Sequence, residues 1–371
     1  MKVCFVDRAP WDYNVASPTV IPLGGSQSAL CYLAIKLAKL GHEITVVTGT
    51  SKPGVVLGVQ CINPSSLSRQ FFADSAFDAV VALNSAKGHR GIRSFLPAST
   101  KLILWTQHAA DQPGTLVLRD RRVRDGWDHV VCVSDWQRRG MLDLGVSPER
   151  CSVVRNAISP SFERMFATED ELVAAKSVRP LRLTYTSTPY RGVHLLLDLL
   201  PAFRAANPGA MLDIYSSMAV YMGQEESKFA GLYERLKAAD GIEYAGSLPQ
   251  PVLAGRLRSA HILSYPNIFP ETSCIAVMEA MAAGLQVVTS HLGALPETTE
   301  GFARLVPLEV DIDLDAALIT LRDQPAYIAA FAEALAVPYS TDRLFAQVEH
   351  MNCHHTWAVR AQQWTEFLHA A

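Results

Sequence analysis

Two glutamates, Glu271 and Glu279, stand in the stretch "NIFPETSCIAVMEAMAAG" with seven residues between them. A strand-like run, "HILSYP", precedes the stretch and another, "LQVVTS", follows it, which predicts a strand, loop, helix and strand in succession. Thr272 or Ser273 is expected to cap the helix, and Gly284 is expected at its end. Glu271 then follows the carboxyl end of a strand, where open α/β sheets bind their ligands.

The helix start and the second glutamate suggest what that ligand is. The free N–H groups of Ser273, Cys274 and Ile275 would point into the same crevice and suit a phosphate. Glu279 shares a helix face with Ile275, where a carboxylate is costly unless it accepts hydrogen bonds, for example from ligand hydroxyls. A nucleotide sugar fits this arrangement, with the sugar hydroxyls at Glu271. The alternative is a helix-start charge at Glu271 and a solvated side chain at Glu279.

Four further residues stand where strands are expected to end. Gly24 and Gly25, in "PLGGSQSAL", precede a helix and would let backbone approach a ligand, or they form a plain tight turn. Arg191, in "STPYRGVHLLL", adds a cation for a phosphate or is simply solvated. His108, in "LWTQHAAD", is a candidate catalytic residue or a packing or surface histidine.

Composition limits the classes of protein that fit. The 371 residues are 49% hydrophobic, enough for two cores of roughly 100–200 residues each. A net charge of -3 gives no basic field for nucleic acid. No apolar run approaches the roughly 18 residues of a membrane helix, and the N-terminus does not resemble a signal peptide. Seven cysteines without a C-x-x-C pair favour reduced thiols over disulfides or a zinc site. We therefore expect a cytoplasmic enzyme.

Strand-like runs alternate with helical patterns along the chain. They are "KVCFVD", "EITVVT", "DAVVAL", "KLILWT", "HVVCVS" and "CSVV" in the first half, and "LRLTYTS", "MLDIYS", "IEYAG", "HILSYP", "LQVVTS" and "ARLVP" in the second. Apolar runs that do not alternate are typical of parallel strands covered on both faces. Two such series predict an α/β protein with two doubly wound sheets. A polar segment, 158–180, is the expected boundary, and the chain after about Asp315 is expected to be mostly helical.

Taken together, these elements closely resemble the GT-B glycosyltransferases, and among them the retaining family-4 group. The stretch from Asn267 to Glu297 resembles that family's E-x7-E signature, "GGSQ" its first glycine loop, and "RGVHLLLDLLPAF" the opening of its second domain. The resemblance implies two Rossmann-like domains facing a central cleft, over residues 1–165 on the acceptor side and 166–345 on the nucleotide-sugar side. The remaining residues, 346–371, would form a helix that packs back on the first domain.

The resemblance also implies roles for individual residues. Glu279 would hold the donor's ribose, and Glu271 would contact the donor sugar near its reacting carbon. His108 would touch that sugar beside the reaction centre, and the backbone at Leu248 would hold the base. The diphosphate and the adjoining part of the donor would be bound by glycines, polar side chains and residues at helix starts. These are Gly24, Gly25, Ser187, Arg191, Ser273, Cys274 and Ile275.

Three positions depart from the family pattern. Thr186 stands where the family commonly has an arginine, Arg191 replaces the family's lysine, and Gln27 stands where some members have glutamate. A D-x-D motif is also missing from any plausible donor loop, because "DIDLD", Asp311–Asp315, lies beyond the site region. Arg191 and a helix N-terminus would neutralise the leaving diphosphate, so that we expect no metal and no other cofactor.

The expected function is transfer of a hexose from a UDP- or GDP-linked sugar to a hydroxyl acceptor, with retention, in bacterial glycan or glycolipid assembly. A GT-B sugar-nucleotide epimerase or phosphorylase and a non-catalytic nucleotide-sugar-binding protein are the alternatives. A nicotinamide oxidoreductase would need G-x-G-x-x-G after its first strand, where "DRAPWDY" stands instead.

The first half also concentrates arginines on two short stretches. They are either a solvated face or a patch for a phosphorylated acceptor or anionic lipid, which would place the protein peripherally at the inner face of a membrane. The acceptor is expected to be a glycan, a lipid-linked or a small-molecule hydroxyl. The arginines are Arg119, Arg121, Arg122, Arg124, Arg138 and Arg139.

Overall fold

The computed structural model describes residues 1–313 and 318–370. It divides into two compact units: unit 1 is Met1–Ala157 with Trp357–Ala371, and unit 2 is Ile158–Thr356. The sequence analysis placed these divisions at 165/166 and 345/346. Unit 2 begins earlier because Ile158 and Phe162 are fully buried in its core. The last two residues of "DIDLD" lie outside the described residues.

The strands number sixteen in the described part of the chain, and the predicted runs all form strands. They are β1 Lys2–Val6, β2 Glu43–Val47, β3 Gly54–Val56, β4 Val59–Ile62, β5 Ala79–Leu83, β6 Lys101–Trp105, β7 His129–Cys132, β8 Cys151–Val153, β9 Arg182–Tyr185, β10 Met211–Ile214, β11 Ile242–Tyr244, β12 Ile262–Tyr265, β13 Gln286–Ser290, β14 Arg304–Val306, β15 Val310–Asp313 and β16 Leu318–Leu321.

The α-helices follow the predicted alternation. They are α1 Gly25–Lys39, α2 Arg69–Ser75, α3 His89–Arg93, α4 Arg121–Arg124, α5 Asp135–Asp143, α6 Glu169–Lys176, α7 Leu196–Ala206, α8 Ala230–Ala238, α9 Gln250–Leu257, α10 Ile275–Ala282, α11 Leu295–Thr299, α12 Gln324–Ala336, α13 Thr341–His354 and α14 Trp357–Ala370. Among the described residues, no helix has the length and apolar character needed to cross a bilayer.

Unit 1 is built on an eight-stranded sheet in the order β3-β4-β2-β1-β5-β6-β7-β8. All neighbouring pairs are parallel except β3 with β4. Strands β3 and β4 were not predicted, because they are only three and four residues long. The direction of strand succession reverses between β1 and β5, so that the loops after these two strands diverge and leave room for a ligand.

The C-terminal helix α14 packs against α1 within unit 1. Trp364 is fully buried there, with its ring centroid 6.0 Å from that of Phe5 and 5.2 Å from that of Trp105. Both partners lie on central strands of the sheet. The chain therefore returns at its end to complete the core of the unit in which it began.

Unit 2 contains a six-stranded parallel sheet in the order β11-β10-β9-β12-β13-β14. Both faces are covered by helices, and the central strands β9, β12 and β13 are almost entirely buried. The order of succession reverses between β9 and β12. A separate antiparallel pair, β15 and β16, precedes α12. The described chain after β16 is mostly helical, in α12, α13 and α14, as expected.

Candidate functional site

The loops after β9 and β12 meet at the point where the order of the unit 2 sheet reverses. The first loop carries a short 3₁₀ turn, Pro189–Arg191, and the second carries Glu271. Gly192 has φ +103 and lies so close to the carbonyl of Pro266 that any Cβ there would overlap it. Glycine at this position is therefore what allows the two loops to approach each other.

Arg191 and Glu271 form a partly buried ion pair across these loops. The Nε of Arg191 donates to Oε1 of Glu271 at 2.6 Å, and the two side chains are only 15% and 10% exposed. Tyr265, the last residue of β12, donates its hydroxyl hydrogen to the same oxygen at 2.7 Å. The hydroxyl of Ser187 lies 3.3 Å from that of Tyr265. Oε1 of Glu271 is thus fixed by two donors.

The guanidinium of Arg191 is held between two aromatic rings. Its central carbon lies 4.8 Å from the ring centre of Tyr190 and 5.0 Å from that of Phe269. Its Nη1 donates to Tyr190 Oη at 2.9 Å and to Thr188 Oγ1. Burial disfavours the charged guanidinium, but Glu271 and the neighbouring tyrosines together outweigh burial and raise the pKa of Arg191 well above its ordinary value. Its position is therefore set before any ligand binds.

Several polar atoms around this pair have no partner. Among the described residues, Oε2 of Glu271 makes no hydrogen bond. The hydroxyls of Thr186 and Ser273 are buried and also unpaired. Unpaired buried polar groups are expensive, and they are common where a ligand completes the site. Hydrogen-bond acceptors and donors that a ligand could use are therefore concentrated at this edge of the sheet.

The helix α10 begins at Ile275, with Cys274 as its N-cap and no side-chain capping bond. The prediction that Thr272 or Ser273 caps this helix was therefore wrong. Among the residues that the structure describes, the amides of Ser273, Cys274 and Ile275 have no acceptor. The helix macrodipole and free N–H groups favour an anion at such an end.

Glu279 lies in the second turn of α10 and is only 3% exposed. Its Oε1 accepts a hydrogen bond from the amide of Ser159 at 3.3 Å. Burial raises the pKa of Glu279 to about 8, and the bonds from Ser159 and Gln250 offset only part of this effect. The alternative of a solvated carboxylate was wrong. A buried carboxyl of this kind gains from a ligand that offers hydroxyl donors.

The loop between β11 and α9 carries Leu248, which is partly buried against the core of unit 2. The hydroxyl groups of Ser247 and Ser217 lie 2.9 Å apart beside it. Leu248 shares unit 2 with Ser187, Arg191 and the residues from Glu271 to Glu279. The structure thus collects these candidates on loops that end parallel strands or begin helices.

The other candidates belong to unit 1. Gly24 is the N-cap of α1 and Gly25 is its first residue. His108 follows β6; its Nδ1 is buried without a partner, and a Cβ on Gly114 would lie 2.9 Å from that nitrogen. Burial lowers the pKa of His108, an effect that the charge of Asp7 opposes. The imidazole is therefore favoured in its neutral form at physiological pH.

Unit 1 contains a polar cluster that sequence reasoning missed. Asp7 directly follows β1, is 4% exposed, and accepts a hydrogen bond from Tyr13 Oη at 2.6 Å and from Gln27 Nε2 at 3.1 Å. The sequence feature that could have revealed this cluster is an aspartate directly after an apolar run. Gln27, noted only as a departure from the family, is thus a partner of this buried carboxylate.

Three of the six arginines named in the sequence analysis form hydrogen bonds or ion pairs within unit 1. Arg124 donates to the carbonyls of Leu118, Arg119 and Leu144, and Arg138 donates to those of Cys151 and Pro148. Arg121 pairs with Asp125 at 3.1 Å. The arginines Arg119, Arg122 and Arg139 are exposed.

Two families match the sequence. Residues 23–162 match Glycosyltransferase Family 4, and residues 182–335 match Glycosyl transferases group 1. The phosphatidyl-myo-inositol mannosyltransferase of Mycobacterium leprae is 33% identical over 156 residues, which are 40% of this chain and 39% of that protein. Two further curated relatives are matched over 36% and 33% of their own length, so the chain spans about a third of them.

Solved structures agree with the family matches. Sucrose-phosphate synthase from Thermosynechococcus elongatus has a TM-score of 0.71 at 16% identity, covering 100% of this chain and 98% of that one. Anabaena HepE in complex with UDP-glucose has a TM-score of 0.68 at 15% identity, covering 100% of both chains. Such identities show a shared fold. From the two family matches and this fold, the chain is a member of the GT-B glycosyltransferases.

Proposed function

We propose that this glycosyltransferase moves a sugar from a nucleoside diphosphate to a hydroxyl acceptor with retention of the anomeric configuration. The observation that carries the proposal is the Arg191–Glu271 pair at the sheet reversal, which joins a guanidinium to a carboxylate with one free acceptor atom. A diphosphate needs cationic and N–H donors, whereas a sugar needs a hydroxyl acceptor. The pair offers both within a single hydrogen-bonded unit.

The donor would lie along the start of α10. Its diphosphate would accept from the free amides of Cys274 and Ile275 and from Nη2 of Arg191. Its ribose would donate to Glu279, its base would meet the backbone at Leu248, and its sugar would donate to Oε2 of Glu271. Ser187 and Ser273 would complete the polar surroundings.

The charges suggest how the bond to the sugar breaks. Negative charge grows on the leaving diphosphate in the transition state, and preorganised donors stabilise it there. Because Oε1 of Glu271 already accepts from Arg191 and Tyr265, this carboxylate is better suited to orient hydroxyls than to attack carbon. We therefore favour attack by the acceptor on the face that the diphosphate leaves, without a covalent enzyme intermediate.

The same electrostatic argument predicts that transfer needs no metal ion. Transfer should persist in excess chelator, measured well below the unfolding temperature so that any effect of chelator on stability is separated from chemistry. Loss of activity that magnesium or manganese restores would contradict the role given to Arg191 and the helix amides.

The relatives indicate which kinds of molecule could carry the acceptor hydroxyl. A matched relative is named a phosphatidyl-myo-inositol mannosyltransferase, so we include inositol lipids among lipid-linked, glycan and small-molecule acceptors. The exposed Arg119, Arg122 and Arg139 would support a peripheral contact with an anionic surface, at about 1 kcal/mol per residue. Vesicle sedimentation with and without anionic lipid tests that contact.

The test of the donor class is a screen of UDP- and GDP-linked sugars. Each is measured for a shift of the unfolding temperature and for slow hydrolysis without acceptor. Ligand at about 100 times its dissociation constant adds about 2.7 kcal/mol to stability. Ribose hydroxyls would favour the ionised carboxylate of Glu279 when the donor binds. Glu279→Gln cannot supply that charged acceptor, worth about 1.5–3 kcal/mol, and should weaken nucleoside diphosphate binding about 10- to 100-fold. Absence of both stabilisation and hydrolysis with every donor would favour a non-catalytic protein.

A further inference from the structure

A second cluster of polar side chains lies in unit 2, apart from the loops that follow β9 and β12. Nε2 of His350 lies 2.6 Å from Oε2 of Glu300, and Nε2 of His355 lies 2.9 Å from Oε1 of the same carboxylate. All three ligand-type atoms lie within 4.8 Å of one another. One carboxylate therefore faces two imidazoles, one on each oxygen.

The cluster is assembled by the ends of two helices. Glu300 is the C-cap of α11 and has φ +46, in the left-handed region. His350 lies in the last turns of α13, and His355 is the C-cap of that helix, where the backbone leaves the helical conformation. Because the helix ends there, two histidines five positions apart in the sequence contact the same carboxylate.

The chemistry of the set matches a borderline-soft dication. Imidazole nitrogens and a carboxylate oxygen are ligands of zinc, and two histidines with one glutamate make an open three-ligand set. Ligands about 2.0–2.2 Å from a tetrahedral ion lie about 3.4 Å apart. The contacts of His350 and His355 to Glu300, at 2.6 and 2.9 Å, would need to open by about 0.8 and 0.5 Å. Glu300 and His350 are 34% and 26% exposed, which leaves them room to move.

We propose that Glu300, His350 and His355 form a binding site for a zinc-class dication. An ion there would tie the end of α11 to the end of α13. His355 also lies beside Thr356, which pairs with Ile158, so the ion would fasten the first and last residues of unit 2 to its interior. Its role is structural. No metal was expected from the sequence, because it has no C-x-x-C pair and no suitably placed D-x-D motif; this set needs neither.

The test is a zinc titration of the full chain, free of tag histidines and stripped of metal. We expect one equivalent of Zn²⁺ by calorimetry, a raised unfolding midpoint, and a Co²⁺ spectrum typical of tetrahedral coordination. Glu300→Gln and His350→Gln should each weaken zinc binding at least about tenfold, because even an outer-shell partner costs 10–100-fold in affinity. Both residues are partly exposed, so these variants are expected to fold; circular dichroism of each checks it.

His291→Gln is the matched control, since His291 is an exposed histidine of the same unit outside the cluster. It should bind zinc as the wild type does. The proposal is overturned if the wild type shows no one-equivalent binding, if either cluster variant keeps full affinity, or if His291→Gln loses affinity equally. These results are independent of donor binding, which is measured separately with nucleotide sugars.

Discussion

At the scale of single residues, the Arg191–Glu271 pair is the feature most sensitive to substitution. Its side chains are 15% and 10% exposed, so removal of one partner leaves the other charge poorly solvated. Thr186 supplies no second cation at this site, and the single guanidinium must act with the helix amides. The rings of Tyr190 and Phe269 hold that guanidinium in place.

Arg191→Ala is expected to lower turnover about 100-fold or more, because a donor to the developing charge is lost. Donor affinity should fall less, and Arg191→Lys should recover only part of the turnover, since lysine supplies charge without the planar fork. Steady-state kinetics and donor dissociation constants measure both effects. Arg182→Ala is the control, because Arg182 forms a comparable ion pair with Asp213 at the opposite end of β9. Near-normal turnover of Arg191→Ala would mean that another cation neutralises the charge on the leaving diphosphate.

The carboxyl group of Glu279 should make stability depend on pH. Burial raises its pKa from 4.5 to about 8, so the folded protein holds a proton that the unfolded chain releases between these values. Wild-type stability should fall as pH rises through this window. Relative to the wild type, Glu279→Gln should therefore gain up to about 1.4 kcal/mol per pH unit. Urea unfolding of both proteins across the window measures this difference, and a constant difference would contradict the buried, protonated state.

At the scale of elements, the turn after β13 supports the loop that carries Glu271. Gly293 has φ +60, and a Cβ there would lie 2.6 Å from the carbonyl oxygen and 2.7 Å from the nitrogen of Glu271. The amide of Ala294 donates to that carbonyl at 2.7 Å. The position of the glutamate backbone therefore depends on a glycine in the next turn of the chain.

Gly293→Ala should lower turnover by about 100-fold, because a shift of about 1 Å in a reacting group has effects of that size. Gly209→Ala is the matched control: Gly209 has φ +83 and nothing within 4 Å of a Cβ. Its substitution should cost only the left-handed strain of about 1–2 kcal/mol, with turnover unchanged. Kinetics and unfolding curves of the two variants separate displacement of Glu271 from backbone strain; equal turnover in both would show that the contact has no functional effect.

At the scale of the whole molecule, unit 1 is completed by chain from far along the sequence. It takes its last helix from Trp357–Ala370, whereas unit 2 is the continuous segment Ile158–Thr356. Because Trp364 fills the space beside Phe5 and Trp105, the N-terminal sheet cannot be fully packed until the end of the chain is present.

Trp364→Ala should destabilise unit 1 by about 3–5 kcal/mol, the usual cost of deleting a large buried aromatic side chain. Hydrogen exchange localises the effect: amides of β1 and β6 should lose protection, while those of β9 and β12 keep it. Phe95→Ala is the control, since Phe95 is an aromatic residue of unit 1 that is 41% exposed. Unchanged protection of β1 in Trp364→Ala would mean that α14 adds little to the core.

The sequence by itself determined the elements and the edge of the sheet on which the candidates lie. Apolar runs bounded by polar residues mark strands because burial acts locally along the chain, and each predicted run forms one. The positions of Glu271 after a strand and of Glu279 on the following helix follow from that pattern alone. The helix cap did not follow, because its geometry depends on the exact residue at which α10 begins.

Only the tertiary structure decided which side chains meet. Arg191 reaches Glu271 across 80 positions, and the Ser159 amide reaches Glu279 across 120. Glu300 meets His350 and His355 in the same way. These contacts depend on strand order and on where helices end, and neither leaves a local periodic signal. The pKa of Glu279 also depends on the tertiary structure, because the residues packed around the carboxyl group set the free-energy cost of ionising it.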